Sequence, residues 1–315
     1  MRFYRSVRAV TGASGDGPID WSAVGTAATA ATDPGDLDVS AGEREAYAAD
    51  VRDARDRVRS VTEIGFDLPD TVEIQDRHHW IEANLATFER VVAPLEARAE
   101  YVPGVARVLN TGSMAVALSF LANNVLGQYD PLLLADSDDH ALYFVRPNIV
   151  RAAEKMDAPY PRFRRWIAFH EVAHAAEFGA APWLSDHLER TMRAAIDNLG
   201  EGTIDRESLG ELDTTMTAVE GYAELVMDRA FDEEYADLRR KLDERRKGRG
   251  PLQRLIRRLL GLSVKRRQYE RGKAFFEVIA DGYGMQTAGR VWTSPEALPT
   301  DAELDDPDAW VSRIA

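Results

Sequence analysis

Between Glu43 and Val61 apolar and charged residues alternate at the spacing of an α-helix, which predicts an amphipathic helix there. A second such pattern covers about Asp76 to Ala99, with Pro94 placed to kink it. A more apolar stretch runs from about Ser113, in the position of an N-cap, to Gly127. Upstream of these, residues 11–40 are rich in Gly, Ala, Asp, Ser and Thr. They are expected to be partly irregular, with Ile19-Asp20-Trp21 supplying an anchor and an N-cap. The period then changes. Leu132-Leu133-Leu134 and Ala141-Leu142-Tyr143-Phe144-Val145 are short β-type runs around the acidic turn Asp136-Ser137-Asp138-Asp139, which predicts a hairpin or two-stranded ribbon. Helical patterns resume from about Arg162 to Phe178, Trp183 to Leu199, Leu209 to Arg240, Pro251 to Leu260 and Val264 to Tyr283. A polar, proline-bearing tail follows, with Trp310 as its last apolar anchor. The fold class read from this pattern is mainly α with a small β-ribbon (α+β). It divides into an N-terminal helical region (1–130), a core (131–240) and a C-terminal helical region (241–315) packed on that core as one unit.

With 315 residues, 45% of them hydrophobic and 29% charged, the chain is globular and able to bury a large core. It contains no cysteine, which excludes disulfides, zinc ribbons and thiol catalysis and leaves histidine and carboxylates to hold any metal. The first residues include no apolar run of signal-peptide length. Met114 to Leu126, the most apolar run, is too short to cross a bilayer and includes Asn123 and Asn124, so it reads as a buried helix. A cytoplasmic protein is the expectation. The net charge is -14, with five lysines against thirty-four arginines. An acidic, lysine-poor surface suits solubility at high salt, and a GC-rich genome gives the same bias.

The sharpest feature lies in Ile167-Ala168-Phe169-His170-Glu171-Val172-Ala173-His174-Ala175-Ala176. His170 and His174 fall one helical turn apart on one face, so their rings can converge on one metal, while Glu171 can work on a water held beside them. This is the HExxH signature of a zinc hydrolase. Apart from Glu171 the segment is uncharged, as suits a helix in a core.

A catalytic zinc needs a third protein ligand and an open position. Metzincin spacing would require Gly and His at positions 177 and 180, which are Glu177 and Ala180. His187 is thirteen residues past His174 and could be a ligand only if the chain folds back sharply. Thr217-Ala218-Val219-Glu220-Gly221-Tyr222-Ala223-Glu224 offers a better arrangement, that of a gluzincin. Glu220 would bind zinc, and Glu224, one turn later, would accept a hydrogen bond from a ligand histidine. Gly221 and Ala223 are small enough to let another helix come close. The other reading of Glu220 and Glu224 is an acidic face continued by Asp228. In the hydrolase reading Glu171 is the general base and then the acid, and an oxyanion donor comes from His187, Tyr222 or Tyr269. Ala141 to Val145 is either an edge strand that pairs with extended substrate or an ordinary core hairpin. His78 and His79 are adjacent on a helix, about 100° apart, and read as packing or surface residues.

Several segments together resemble a prokaryotic family of zincin-like, zinc-dependent metalloproteases. They are Val125-Leu126-Gly127-Gln128-Tyr129-Asp130, Phe169-His170-Glu171-Val172-Ala173-His174, Pro182-Trp183-Leu184, Val219-Glu220-Gly221-Tyr222-Ala223-Glu224, and Leu260-Gly261-Leu262 with Lys265 and Gln268-Tyr269-Glu270-Arg271-Gly272. The closing stretch, Trp292-Thr293-Ser294-Pro295 through Leu298-Pro299 to Asp306-Pro307-Asp308-Ala309-Trp310, is similar too. Some members of that family are associated with biosynthesis of the deazaflavin redox coenzyme. The resemblance covers most of the chain from about residue 120 and implies a largely helical zincin-like fold with Zn2+ held by HExxH plus a glutamate. It implies no substrate.

Residues 239–273 contain fifteen Lys or Arg and three Asp or Glu, a local net of +12 that leaves -26 for the rest. Leu252, Leu255, Ile256, Leu259 and Leu260 form an apolar stripe among the arginines. This segment either packs on the core with its arginines paired to surplus acids or binds an anionic partner. It has no aromatic residue between 239 and 268 to stack on bases, which argues against nucleic acid. The leading function is a zinc-dependent peptidase. The alternatives are a zinc amidohydrolase acting on a small metabolite and a non-catalytic zinc-stabilised scaffold that binds an anionic partner.

Overall fold

The protein was analysed as a computed structural model that describes residues 2–14, 17–69, 71–97, 104–130, 141–200, 206–231, 238, 240 and 266–314. It is mostly helical with one small sheet. The elements are α1 (Arg2–Thr11), α2 (Trp21–Ala31), α3 (Ala41–Thr62), β1 (Thr71–Gln75), α4 (Arg77–Ala97), α5 (Gly104–Ala122), β2 (Gly127–Asp130), β3 (Ala141–Val145), α6 (Arg146–Lys155), α7 (Tyr160–Ala180), α8 (Leu184–Gly200) and α9 (Arg206–Ala230). After the basic segment come α10 (Arg266–Tyr283), α11 (Met285–Gly289), three short 3-10 turns and α12 (Pro307–Ile314).

Local chemistry sets several of these boundaries. Asp20 accepts the N–H of Ala23 at 2.9 Å and Ser40 accepts that of Glu43 at 3.1 Å, so α2 and α3 each begin on a side-chain cap. α4 continues through Pro94 without interruption. α5 starts nine residues earlier than the sequence suggested, which puts Ser113 on an exposed face in mid-helix rather than at a cap. It ends where the amide of Asn123 turns back to Ser119 O (2.8 Å) and that of Asn124 to Phe120 O (2.7 Å), freeing residues 127–130 to become a strand. The earlier start gives α5 19 residues at a mean hydropathy of 1.4, long and apolar enough to cross a membrane, contrary to the sequence reading. One face of α5, with Ala115, Leu118, Leu121 and Ala122, is packed against α2 and α4, and Val105, Leu109 and Val116 are exposed on the other.

The sheet has the order β1-β3-β2. β1 runs parallel to β3, from Thr71 opposite Ala141 to Gln75 opposite Val145, and β2 runs antiparallel to it, from Gly127 opposite Phe144 to Asp130 opposite Ala141. This overturns the edge-strand reading of Ala141 to Val145, because β3 is paired on both sides. Its apolar run is that of a central strand buried on both faces, while the more polar β1 and β2 take the edges. The Leu132–Leu134 run and the acidic turn after it lie outside the described residues, as does the 251–260 stripe.

The larger of two apolar clusters extends from Tyr47 on α3 to Trp310 on α12 and surrounds α7 and α9. α9 also packs tightly on α10. A Cβ on Gly221 would lie 2.4 Å from the carbonyl carbon of Gly272, and one on Gly272 would lie 2.2 Å from Thr217 O. Only glycines allow the two backbones this approach, as the small residues around Glu220 foretold. Trp310, fully buried, anchors the tail and donates from Nε1 to Ala297 O at 2.8 Å.

Candidate metal centre

α7 carries His170, Glu171 and His174, and α9, packed beside it, carries Glu220. One ligand atom from each of His170, His174 and Glu220 lies within 4.8 Å of the other two, and all three residues are partly exposed. The Nε2 atoms of the two histidines are 3.3 Å apart. Two zinc–nitrogen bonds of about 2.0–2.1 Å meeting at a tetrahedral angle would hold their nitrogens about 3.3–3.4 Å apart, so the spacing fits a shared cation. Tautomer chemistry agrees. His174 Nδ1–H donates to Glu177 Oε2 at 2.8 Å, which leaves the Nε2 lone pair directed toward His170. His170 is steadied differently, with the Trp166 ring stacked on it at 5.6 Å and 12°.

Charge makes the same demand. Glu171 and Glu177 are buried on α7, and Glu224 is buried one turn beyond Glu220 on α9. Burial pushes the Glu171 carboxyl up to about 7, with the neighbouring Glu220 adding to the shift and His174 and the Tyr129 N–H opposing it. Burial likewise raises Glu177. Burial alone would lower His174, but the charge and hydrogen bond of Glu177 outweigh it and carry the imidazole well above its usual range. A cluster this rich in carboxylates, with two imidazoles at its centre, is chemically suited to a divalent cation.

Glu171 itself lies under β2. Tyr129 N–H donates to its Oε2 at 2.8 Å, and a Cβ on Gly127 would fall 2.6 Å from Oε1 and 2.8 Å from Ile167 Cγ2. The strand beside the active helix is therefore β2, and its outward Tyr129 N–H is already committed to Glu171.

Two further expectations meet the structure differently. Tyr222, read as an oxyanion donor, is fully buried, with its ring edge-on to Phe276 and Trp292 and its hydroxyl facing Gly289. Two residues beyond Glu220 is about 200° around a helix, which turns Tyr222 into the core and away from the side of α9 that carries Glu220. His187 stays outside the trio. Its Nε2 lies 3.3 Å from Thr215 Oγ1 and 3.7 Å from Glu211, its ring stands edge-on to Trp183, and burial lowers its pKa. The side chain of Tyr269 lies outside the described residues. His78 and His79 bond separately, to Thr32 O and to Asp76, and share no site. Asp228 pairs with Lys273 at 2.5 Å, and Arg271 with Asp301 and Asp305, so these ends of the acidic face and the basic segment meet across α9, α10 and the tail.

Sequence reasoning missed Glu177 as a partner of the centre. The signal was present, since a residue three after His174 adjoins it on the helix surface, and Glu177 is the first charge after an uncharged run. Gly127 and Tyr129 act through backbone brought in by the sheet, which leaves no local signature.

A search of curated proteins finds no match. Among solved structures, a candidate hydrolase with a novel fold from Chloroflexus aurantiacus superposes with a TM-score of 0.77 at 28% identity, over 99% of this chain and 98% of that one. The profile of the zincin-like metallopeptidases matches residues 19–207 and 199–311, which take in both ligand-bearing helices and the tail packed behind them. With nearly the whole chain matched and a donor set that suits the zinc this family implies, the protein belongs to the zincin-like metallopeptidase family.

Proposed function

We propose that the protein is a zinc-dependent amide hydrolase, acting most naturally as a peptidase, with His170, His174 and Glu220 as metal ligands and Glu171 as general base and acid. The observation that carries this reading is the 3.3 Å convergence of the two Nε2 atoms beside Glu220 and the buried Glu171. Zinc bound there would supply a Lewis acid able to polarise a scissile carbonyl. The protein supplies the proton handling. A carboxyl raised to about 7 is balanced to take a proton from the attacking water near neutral pH and return it to the leaving amine. Tyr129 N–H fixes its direction by holding Oε2. With His174 taken by Glu177, Glu224 is assigned to the His170 ring, where it would stabilise the ligand orientation. His187, in the first turn of α8, is kept as the oxyanion donor to be tested by mutation.

The test compares zinc content and peptide-library hydrolysis in wild type and Glu171→Gln. The expected result is about one zinc per chain in both proteins and a turnover lower by about 10²–10⁴-fold in the variant. Wild type without zinc, or a variant as active as wild type, would overturn the assignment. A wild type that cleaves small amides but no peptides would move the substrate from peptide to metabolite.

A further inference from the structure

We infer that Glu177 is the positioning residue of the metal centre: its buried carboxylate holds the His174 ring with Nε2 turned toward the metal. The inference rests on the metal reading above.

Glu177 is completely buried, and among the described residues no lysine or arginine pairs with it. Its charged partner is the ring of His174, 2.8 Å from Oε2 to Nδ1. A carboxylate placed here is costly to bury, and an apolar side chain would satisfy packing alone at least as well. What an apolar residue cannot do is accept from Nδ1–H. With that bond made, the Nε2 lone pair is presented to a cation and the ring becomes a better donor. With the proton on Nε2 instead, His174 would present an N–H and could not ligate. His170 has Ala173 at the corresponding i+3 position, so no neighbour on α7 holds its ring in this way, and the Trp166 ring stacks on it instead.

The experiment titrates metal-free wild type, Glu177→Ala and Glu177→Gln with Zn2+ against a chromophoric chelator, with circular dichroism on each sample to verify the helical fold. Removing the acceptor should weaken zinc binding about 10–100-fold in Glu177→Ala, and Glu177→Gln, whose carbonyl oxygen still accepts from Nδ1–H, should return to within about fivefold of wild type. Rescue by glutamine separates positioning from mere space filling. If the alanine variant does not fold, Glu177→Met, of similar size and without an acceptor, takes its place with the same expected loss. Variants lacking the acceptor that bind zinc as tightly as wild type would overturn the proposal, as would a glutamine variant no tighter than they are. Wild type that takes up no zinc would instead overturn the metal reading beneath it.

Discussion

The helices around the metal centre and the helices of the N-terminal layer are both long and rich in alanine, yet they bury different chemistry. Around α7 and α9 the core encloses Glu171, Glu177, Glu224 and the Arg164–Asp50 pair (2.7 Å) among interlocked aromatic rings. In the cluster of α2, α4 and α5 the enclosed groups are Trp21, Val24, Ala27, Ala28 and Leu118, with Thr32, Thr111, Asn84 and, at the start of α4, Arg77 among the neighbouring buried polar residues. There α5 leaves Val105, Leu109 and Val116 exposed. The difference lies in what packing is for. In the first region the contact that stabilises the fold, Gly221 against Gly272, also sets where Glu220 stands, so stability and metal binding are one property. In the second, packing can be weakened without touching the chemistry.

That contrast can be broken or sharpened by substitution. Gly221→Ala drives a methyl into the Gly272 backbone and should force α9 and α10 apart, at a cost of about 3 kcal/mol or more. Chemical denaturation would measure it, and zinc affinity should fall with it, because Glu220 moves with the helix. Leu118→Ala, at a fully buried site of the N-terminal cluster, should cost about 3 kcal/mol in the same assay. Here zinc affinity should stay at the wild-type value, and a parallel loss would mean that the two regions are coupled after all.

The C-terminal clasp supplies a smaller and pH-dependent effect. Glu303 accepts from Arg313 at 2.6 and 2.9 Å and from Thr300 N–H at 2.8 Å. These bonds, the one to Arg313 first, hold its carboxyl below the usual value of 4.5 against the opposing effect of burial. A depressed carboxylate stabilises the fold fully above that value, and the contribution is lost as pH falls through the folded-state pKa. Glu303→Gln should therefore cost about 1–2 kcal/mol at pH 7 and flatten the acid limb of a stability profile below pH 4.5. A variant with an unchanged acid limb would remove the clasp from the account. The smallest effect belongs to Tyr222→Phe. Its hydroxyl is buried without a partner, so the melting temperature should hold or rise slightly and turnover should stay within about twofold. A large loss of turnover would restore Tyr222 as the oxyanion donor.

Helix positions were legible wherever an apolar period was backed by a local cap or a change of composition, as at Asp20. The two candidate ligands on α7 were legible because HExxH places both histidines on one face of one helix. Boundaries failed where local signals competed. Ser113 looked like a cap but lies within α5, and the helix read as far as Gly127 ends at Ala122, where Asn123 and Asn124 turn the chain.

By itself the sequence determined the helical content, the His170–Glu171–His174 constellation and the small residues that admit α10 to α9, since each depends on spacing within one helix. Tertiary structure alone decided that β3 is central, that β2 covers Glu171, that Tyr222 points into the core and that Glu177 holds His174. The physical reason is range. Periodicity says which residues share a face, but which face meets a strand, a cleft or a buried carboxylate depends on elements brought together from distant parts of the chain.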